Sequence, residues 1–412
     1  MNDLIWNVVK RQKIEFELLR GKKRVPRTQL KTLKKALPSS LIKVITGPRR
    51  AGKSTLAVQA LGEKRCAYLN FEDEDFPQSA DGDDLIAAMK SVYGDVDFYL
   101  FDEIQNLPRW EQFLNRLHRL GYNLIVTGSN AKLLGEELGS ALTGRHIAIE
   151  LLPFSFSEKL AGTTADEGDF ANYLLKGGFP EVTLGADDPK SYLRTLWESV
   201  ILRDIVQRYK VRNVGGLREL LSLFLSTMSS RYSYESLARA LSGRVSAPSL
   251  KKFIRYGCEA YLVAELTAYH HKPRVRIKSD RKAYTVDNGF FSAHHIGVSD
   301  DHSKRLENLV FVELWRRGYR PNLDLFYFQT SGGYEVDFLL RSGHKSLELI
   351  QVSYSLSSGK TREREFRALI RASEELKIIK RTVITMNEDR RESVGGHDIN
   401  VISAARWCQG GE

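Results

Sequence analysis

The sequence has 412 residues, with 62 lysines and arginines against 51 aspartates and glutamates, a formal charge of +11, and 42% of residues hydrophobic. That length is too great for one ordinary domain and implies two to four. No apolar run approaches the ~20 residues that cross a bilayer, and the basic N-terminus has no signal-peptide core, so the expectation is a cytoplasmic protein without a membrane span. Cys66, Cys258 and Cys408 are too scattered for a zinc site or a disulfide framework, which suits a reducing compartment. The positive charge suits an acidic partner, nucleic acid first among them.

Residues 1–38 form a basic preface with Lys10, Arg11, Lys13, the run Gly21-Lys22-Lys23-Arg24, and Lys31, Lys34 and Lys35. Leu30, Leu33 and Leu37 recur at helical spacing, so this segment reads as amphipathic helix with a solvated charged face.

Residues 39–150 alternate strands with helices. Strands are expected at Leu41–Thr46, Cys66–Phe71, Phe98–Phe101, Leu124–Thr127 and His146–Leu151, with helices near 53–61, 83–92, 109–120 and 130–138. That alternation predicts a parallel sheet sandwiched by helices, with ligands at the carboxyl ends of its strands. Between the first strand and helix stands Gly47-Pro48-Arg49-Arg50-Ala51-Gly52-Lys53-Ser54, a full match to G-x-x-x-x-G-K-[ST]. The glycines let backbone N–H groups turn toward a triphosphate, Lys53 reaches the β/γ-phosphates, and Ser54 holds Mg²⁺. Thr55 opens the following helix, whose N-terminus favours phosphate. ATP and Mg²⁺ are therefore the expected cofactors, held by residues 47–55.

Asp97-Phe98-Tyr99-Leu100-Phe101-Asp102-Glu103-Ile104 is an apolar strand ending in two acids. Asp102 is placed to serve the metal opposite Ser54, and Glu103 to polarise the attacking water. After the next strand comes Gly128-Ser129-Asn130, where Asn130 or Ser129 can touch the γ-phosphate or the lytic water; Ser129 equally suits a helix cap. Arg145 is either an arginine finger, acting on a neighbouring subunit's nucleotide, or an ordinary surface arginine.

Residues 151–212 read as a small helical segment broken at Gly177-Gly178-Phe179-Pro180. The glycine loop, Asp102-Glu103, Thr127-Gly128-Ser129-Asn130, Leu152-Pro153-Phe154-Ser155-Phe156, Gly177-Gly178-Phe179-Pro180-Glu181-Val182 and Leu202-Arg203-Asp204-Ile205 occur in an order that resembles one family. It is that of the archaeal and bacterial AAA-type P-loop ATPases whose core precedes a winged helix and a PD-(D/E)xK nuclease-like domain. The resemblance spans roughly residues 25 to 390. It implies an α/β fold of P-loop core, helical lid, winged helix-turn-helix and α/β nuclease-like domain, and it makes Arg203 a γ-phosphate sensor by position.

Residues 213–290 carry the winged-helix signal. Tyr234–Leu241 reads as one helix, Ser242-Gly243-Arg244-Val245 as the turn, and Ser246 caps a second helix running through Glu259. Leu250, Phe253 and Ile254 share its core face; Lys251, Lys252 and Arg255 fall opposite, where a recognition helix meets a groove. Strands are expected at Tyr261–Ala264 and Lys282–Val286, and Arg274, Arg276, Lys278, Arg281 and Lys282 make the basic wing between them. Contacts of this kind give affinity with little sequence preference.

Residues 291–412 resemble the nuclease frame, with Glu307 as helix acid and Asp337, in Tyr334-Glu335-Val336-Asp337-Phe338, as strand aspartate. Gln351 stands where a second acid belongs and Ser353 where a lysine belongs, so metal-dependent cleavage is not expected. DNA clamping or subunit contact fits better, with Lys345, Lys360, Arg362 and Arg364 as cations. His270-His271 and His294-His295 lack the supporting ligands of a metal site. The sequence thus reads as a Mg²⁺-dependent ATPase coupled to binding or remodelling DNA, assembling as a homo-oligomer and possible ring. The alternatives are an ATP-dependent switch that binds a protein partner, and an active DNA nuclease with an ATPase domain.

Overall fold

The computed structural model describes the chain apart from residues 1–2, 23, 78–79, 132–141, 143, 162–167, 242, 295–300, 344 and 412. The expected helix at 130–138 therefore lies almost wholly outside the described residues, as do Lys23, Ser242 and His295. The chain divides into two compact units, Met1–Leu152 and Pro153–Glu412.

The first unit is built on strands β1 (Ile42–Thr46), β2 (Cys66–Asn70), β3 (Phe98–Asp102), β4 (Leu124–Gly128) and β5 (His146–Glu150), all parallel in the order β2-β3-β4-β1-β5. Alternation along each strand separates two cores. Ile42, Val44, Tyr99 and Phe101 face helices α4 (Gly82–Tyr93) and α5 (Trp110–Arg119), through Leu85, Met89, Phe113 and Leu117. Ile45, Leu100, Ile125 and Ile149 face α2 (Leu30–Ala36) and α3 (Lys53–Leu61), through Leu33, Leu56 and Leu61. Buried on both faces, the strands are near-continuous apolar runs, as a parallel sheet requires. The exception is Lys43, fully buried, whose ammonium bonds Asn123 and the Ser39 carbonyl.

The basic preface proves to be part of this unit. Helix α1 (Asp3–Gly21) buries Ile5, Val8, Val9 and Phe16 against β2 and α4, and Phe16 stacks on Tyr68 with ring centres 5.0 Å apart.

The second unit holds two sheets of its own. Strands β6 (Arg231–Tyr232), β7 (Val263–Thr267) and β8 (Arg281–Thr285) form an antiparallel sheet in the order β6-β8-β7. Helices Tyr234–Ala240 and Ala247–Glu259 lie between β6 and β7 in sequence. Within the basic wing expected between the two strands, Pro273–Lys278 forms a short helix, with proline at its start and no buried residue. The hairpin also begins later than expected, because Tyr261 adopts a left-handed turn (φ 56°) and is buried before β7 starts. A six-stranded mixed sheet follows, built from β9 (Leu325–Gln329), β10 (Glu335–Ser342), β11 (Lys345–Val352), β12 (Arg381–Thr385), β13 (Arg390–Val394) and β14 (His397–Ser403). Its order is β13-β14-β12-β11-β10-β9, and helix Gly359–Leu376 covers one face through Phe366, Leu369 and Ala372.

Candidate nucleotide site and a buried acid cluster

The carboxyl ends of β1, β3 and β4 converge on one place. Gly47 begins the loop after β1 in a conformation where a Cβ would lie 2.0 Å from the Leu151 carbonyl oxygen, so no other residue fits. Gly52 turns the chain at φ 93° into α3, whose first residue is Lys53. Arg27, from the preface, braces the loop from behind: its guanidinium donates to the Ala51 carbonyl at 2.8 Å and to that of Leu152 at 2.5 Å. In the loop itself Arg49 pairs with Glu72, just beyond β2.

Asp102, at the end of β3, is buried and accepts from Ser54 Oγ at 2.7 and 2.8 Å, from Tyr68 at 3.1 Å and from Thr127. Burial and the neighbouring Glu103 push its carboxyl above the usual range, and the Ser54 and Thr127 hydroxyls oppose the shift. Glu103 then takes a left-handed turn (φ 50°, ψ 48°), unfavourable for a residue with a Cβ. Its N–H donates to Thr127 Oγ1 at 3.1 Å, which holds the turn. The turn aims the carboxylate back across the site. There it lies 3.2 Å from Lys53 Nζ and accepts from the Ser129 N–H at 3.0 Å and Gln105 Nε2 at 2.5 Å. Burial would raise its pKa, but Lys53, Gln105, Arg49 and Ser129 outweigh burial and pull it down to about 2. A strained backbone of this kind persists only where the surrounding contacts hold it, as Thr127 and Lys53 do here.

The structure thus brings Lys53, Ser54, Asp102, Glu103 and Ser129 together, with Asn130 buried beside Ser129. It does not bring Arg145 to them. Arg145 precedes β5, and the register of β5 on β1 puts it at the opposite end of the sheet, exposed. Arg203 is exposed in the second unit, on a π-helical stretch, Val200–Gln207, that buries Asp204. Arg27, Tyr68 and Gln105 carry no role in the sequence reading, and Thr127 enters it only within the motif Thr127-Gly128-Ser129-Asn130. Only Thr127 carried a signal, a hydroxyl at the end of the strand beside the acids.

The oxygen donors of Ser54, Asp102 and Thr127 suit Mg²⁺, and the loop and helix N-terminus suit a triphosphate. With the parallel sheet, this is the core typical of P-loop NTPases, and the C-terminal unit carries a separate mixed sheet. A family model described as an AAA domain matches residues 39–160, and two described as domains of unknown function, DUF8612 and DUF4143, match 167–302 and 303–407. The chain is 32% identical over 403 residues to the uncharacterized protein MJ1544 of Methanocaldococcus jannaschii, an alignment covering 90% of this chain and 89% of that one, and it belongs to the same family. An uncharacterized Haemophilus influenzae protein is 30% identical over 343 residues, covering 77% of this chain and 84% of its own. The Walker-type ATPase PABY2304 of Pyrococcus abyssi is similar in fold, with a TM-score of 0.43 and 16% identity over 68% of this chain and all of that one. Among the described residues no helix is long and apolar enough to cross a membrane.

The second unit holds another buried polar centre. Lys282, expected in a solvated wing, is 2% exposed, and its ammonium lies 2.8 Å from Asp337, 2.9 Å from Glu335 and 3.0 Å from Glu307. Its position on β8 explains the correction, because the strand turns Lys282 toward the helix His302–Arg316 and β10. Tyr284 adds a hydrogen bond to Glu307 at 2.7 Å. Ser353 is not a lysine, yet an ammonium reaches the acids from elsewhere in the chain. Gln351, in the expected acid position, donates to Glu365 at 2.7 Å. Arg362 and Arg364, expected as free cations, pair with Glu392 and Glu365. His294 bonds the Phe290 carbonyl at 2.9 Å, and among the described residues no cluster of acids, histidines and cysteines is arranged for a metal ion.

Burial and the nearby Asp337 push the Glu307 carboxyl up to about 8, against the opposing pull of Lys282 and Tyr284. A carboxyl raised on folding stabilises the fold below its unfolded pKa, and that contribution disappears as pH rises through the folded value. Thermal melts should therefore show stability falling by about 1 kcal/mol from pH 7 to pH 9. Glu307→Gln should remove that slope; a slope unchanged in the variant would assign it to another group.

Proposed function

We propose that the chain hydrolyses ATP at residues 47–55 and uses the cycle to change its grip on DNA. The observation that carries the first part is Glu103, turned by a strained backbone onto the phosphate-binding lysine. Lys53 holds Glu103 ionised and weakly basic. A triphosphate competes for the same ammonium, and drawing Lys53 to the β/γ-phosphate oxygens relieves that pull, so Glu103 becomes a competent base for water where substrate is bound. Ser54 and Asp102 would hold Mg²⁺, which supplies charge neutralisation on the transferring phosphoryl group. Ser129 and Asn130 orient the water or the γ-phosphate. Arg145, facing away from its own site, would act on a neighbouring copy, which makes the working form a homo-oligomer; Arg203 is proposed as a γ-phosphate sensor.

The second part rests on the segment around the three-stranded sheet. Its order of helix, short strand, two helices and hairpin supports the winged-helix reading. Ser246 caps Ala247–Glu259 by accepting from the Ser249 N–H, burying Leu250, Phe253 and Ile254 and leaving Lys251, Lys252 and Arg255 exposed opposite. Arg255 lies 3.4 Å from Glu259, so Lys251 and Lys252 are the better phosphate contacts. A nuclease reading of the C-terminal domain is disfavoured, since Lys282 engages the acids that a divalent ion would need.

Gel shifts with duplex, forked and junction DNA, in ATP and in ADP, test the coupling. Binding should weaken by about tenfold or more between roughly 50 and 200 mM salt and should differ between the two nucleotides. Absence of binding at low salt would instead favour a nucleotide switch acting on a protein partner.

A further inference from the structure

A cavity of about 270 Å³ in the second unit is lined by Tyr269, His270, His271, Pro273, Arg276 and Arg341, with no carboxylate among them. Its two arginines are held by aromatic faces. Arg341, from β10, lies 4.4 Å from the centre of the Tyr269 ring, and Arg276 lies 5.5 Å from that of Phe326. Stacking fixes a guanidinium plane in advance, so less side-chain freedom is lost when its N–H edge meets an anion. Tyr269 is buried and anchored by its N–H to the Tyr327 carbonyl at 2.8 Å, and its hydroxyl lies 3.1 Å from His271 Nδ1. His270 Nδ1 accepts the N–H of Lys272 at 3.0 Å, which leaves the ring's proton on Nε2 as a donor. The wall is thus made of N–H and O–H donors and two permanent cations, with little apolar surface.

The short helix Pro273–Lys278 extends the positive charge beyond the cavity. Lys272, Arg274 and Lys278 are exposed, and among the described residues none of them, nor Arg276, pairs with an acid. By contrast Arg231 and Arg281, on the neighbouring strands, pair with Glu335 and Glu265. A row of cations longer than one phosphate group suits a polyanion.

We propose that this cavity is an oxyanion site that seats one backbone phosphate of a nucleic acid, with Arg276 and Arg341 as its clamps and Lys272, Arg274 and Lys278 on the adjoining phosphates. The proposal rests on the DNA reading above and adds a preformed phosphate pocket to the contacts of Lys251 and Lys252.

Fluorescence anisotropy of labelled single- and double-stranded oligonucleotides tests it on the full chain. Relative to native, Arg276→Gln and Arg341→Gln should each weaken binding about tenfold and reduce the salt slope by about one. Arg276 sits on the exposed helix, so its variant tests the site without disturbing the core. If native protein binds and both variants bind within about twofold of it, the pocket assignment is wrong and the DNA reading stands. If native protein binds no oligonucleotide at low salt, the DNA reading falls and takes the nucleic-acid ligand with it. A melting temperature raised by inorganic pyrophosphate in native protein but not in Arg341→Gln would then identify a small phosphate compound as the occupant, overturning the proposed source.

Discussion

Replacing Lys282 with methionine should destabilise the second unit by about 3–5 kcal/mol, the cost of leaving buried carboxylates without their counter-ion. The size follows from the geometry. Lys282 is 2% exposed and touches Glu307, Glu335 and Asp337 within 3.0 Å, while Asp337 also accepts from the Val352 N–H at 2.9 Å and is 6% exposed. Methionine fills the volume but removes the ammonium that, among the described residues, the three acids share, leaving only Glu335 with a cation, Arg231. Burial and Asp337 already raise the Glu307 carboxyl against the pull of Lys282, so without that ammonium the loss should be largest at high pH, where Glu307 is ionised. A compensating variant separates charge from shape: Lys282→Met with Glu307→Gln and Asp337→Asn should recover most of the loss, since the deficit is uncompensated charge and the sites are in contact. Chemical denaturation measures both. A loss under about 1 kcal/mol in the single variant would mean that water reaches the acids, and that the cluster is no clasp.

The second large effect concerns Glu103. Glu103→Gln should keep ATP affinity within a few-fold of native and slow hydrolysis by about 10²- to 10⁴-fold, the range expected for loss of a general base. Glutamine has the same shape and can still accept from the Ser129 N–H, so the strained turn and its neighbours persist. What disappears is the capacity to take a proton, along with the charge that pairs with Lys53. Losing that pair frees Lys53 for phosphate and favours binding if it changes it at all. Lys53→Ala should do the opposite and abolish nucleotide binding, because no other ammonium lies in the loop.

The nucleotide site was legible because its chemistry dictates residue types at fixed spacing. A loop that approaches phosphate needs glycine at 47 and 52, and a metal and a base need acids at a strand end. Partners that merely steady those groups leave no such trace. Arg27 is one arginine in a basic preface, and Tyr68 reads as a strand former, yet they brace the loop and Asp102. Within 213–290 the helices were legible from Ser246 and the Leu250-Phe253-Ile254 face. The helix Pro273–Lys278 is missing from the sequence reading because its residues stand out there only as a run of cations, although Pro273 is a helix-start signal. Lys282 was misplaced for a different reason. In a basic run nothing local distinguishes it from Arg281, and its burial is decided by acids 25 to 55 residues further along. Pairings of that range are set by tertiary packing, which periodicity does not report.

ATP bound at residues 47–55 should turn over only where Glu103 can take a proton, and one paired measurement separates binding from turnover. Nucleotide binding and phosphate release should be followed on the same preparations of native and Glu103→Gln protein, with Mg²⁺ and with a chelator. Both proteins should bind ATP, and only the native one should release phosphate at an appreciable rate, with Mg²⁺ required. Phosphate release from Glu103→Gln at the native rate, or none from a native protein that binds ATP with Mg²⁺ and DNA present, would contradict that.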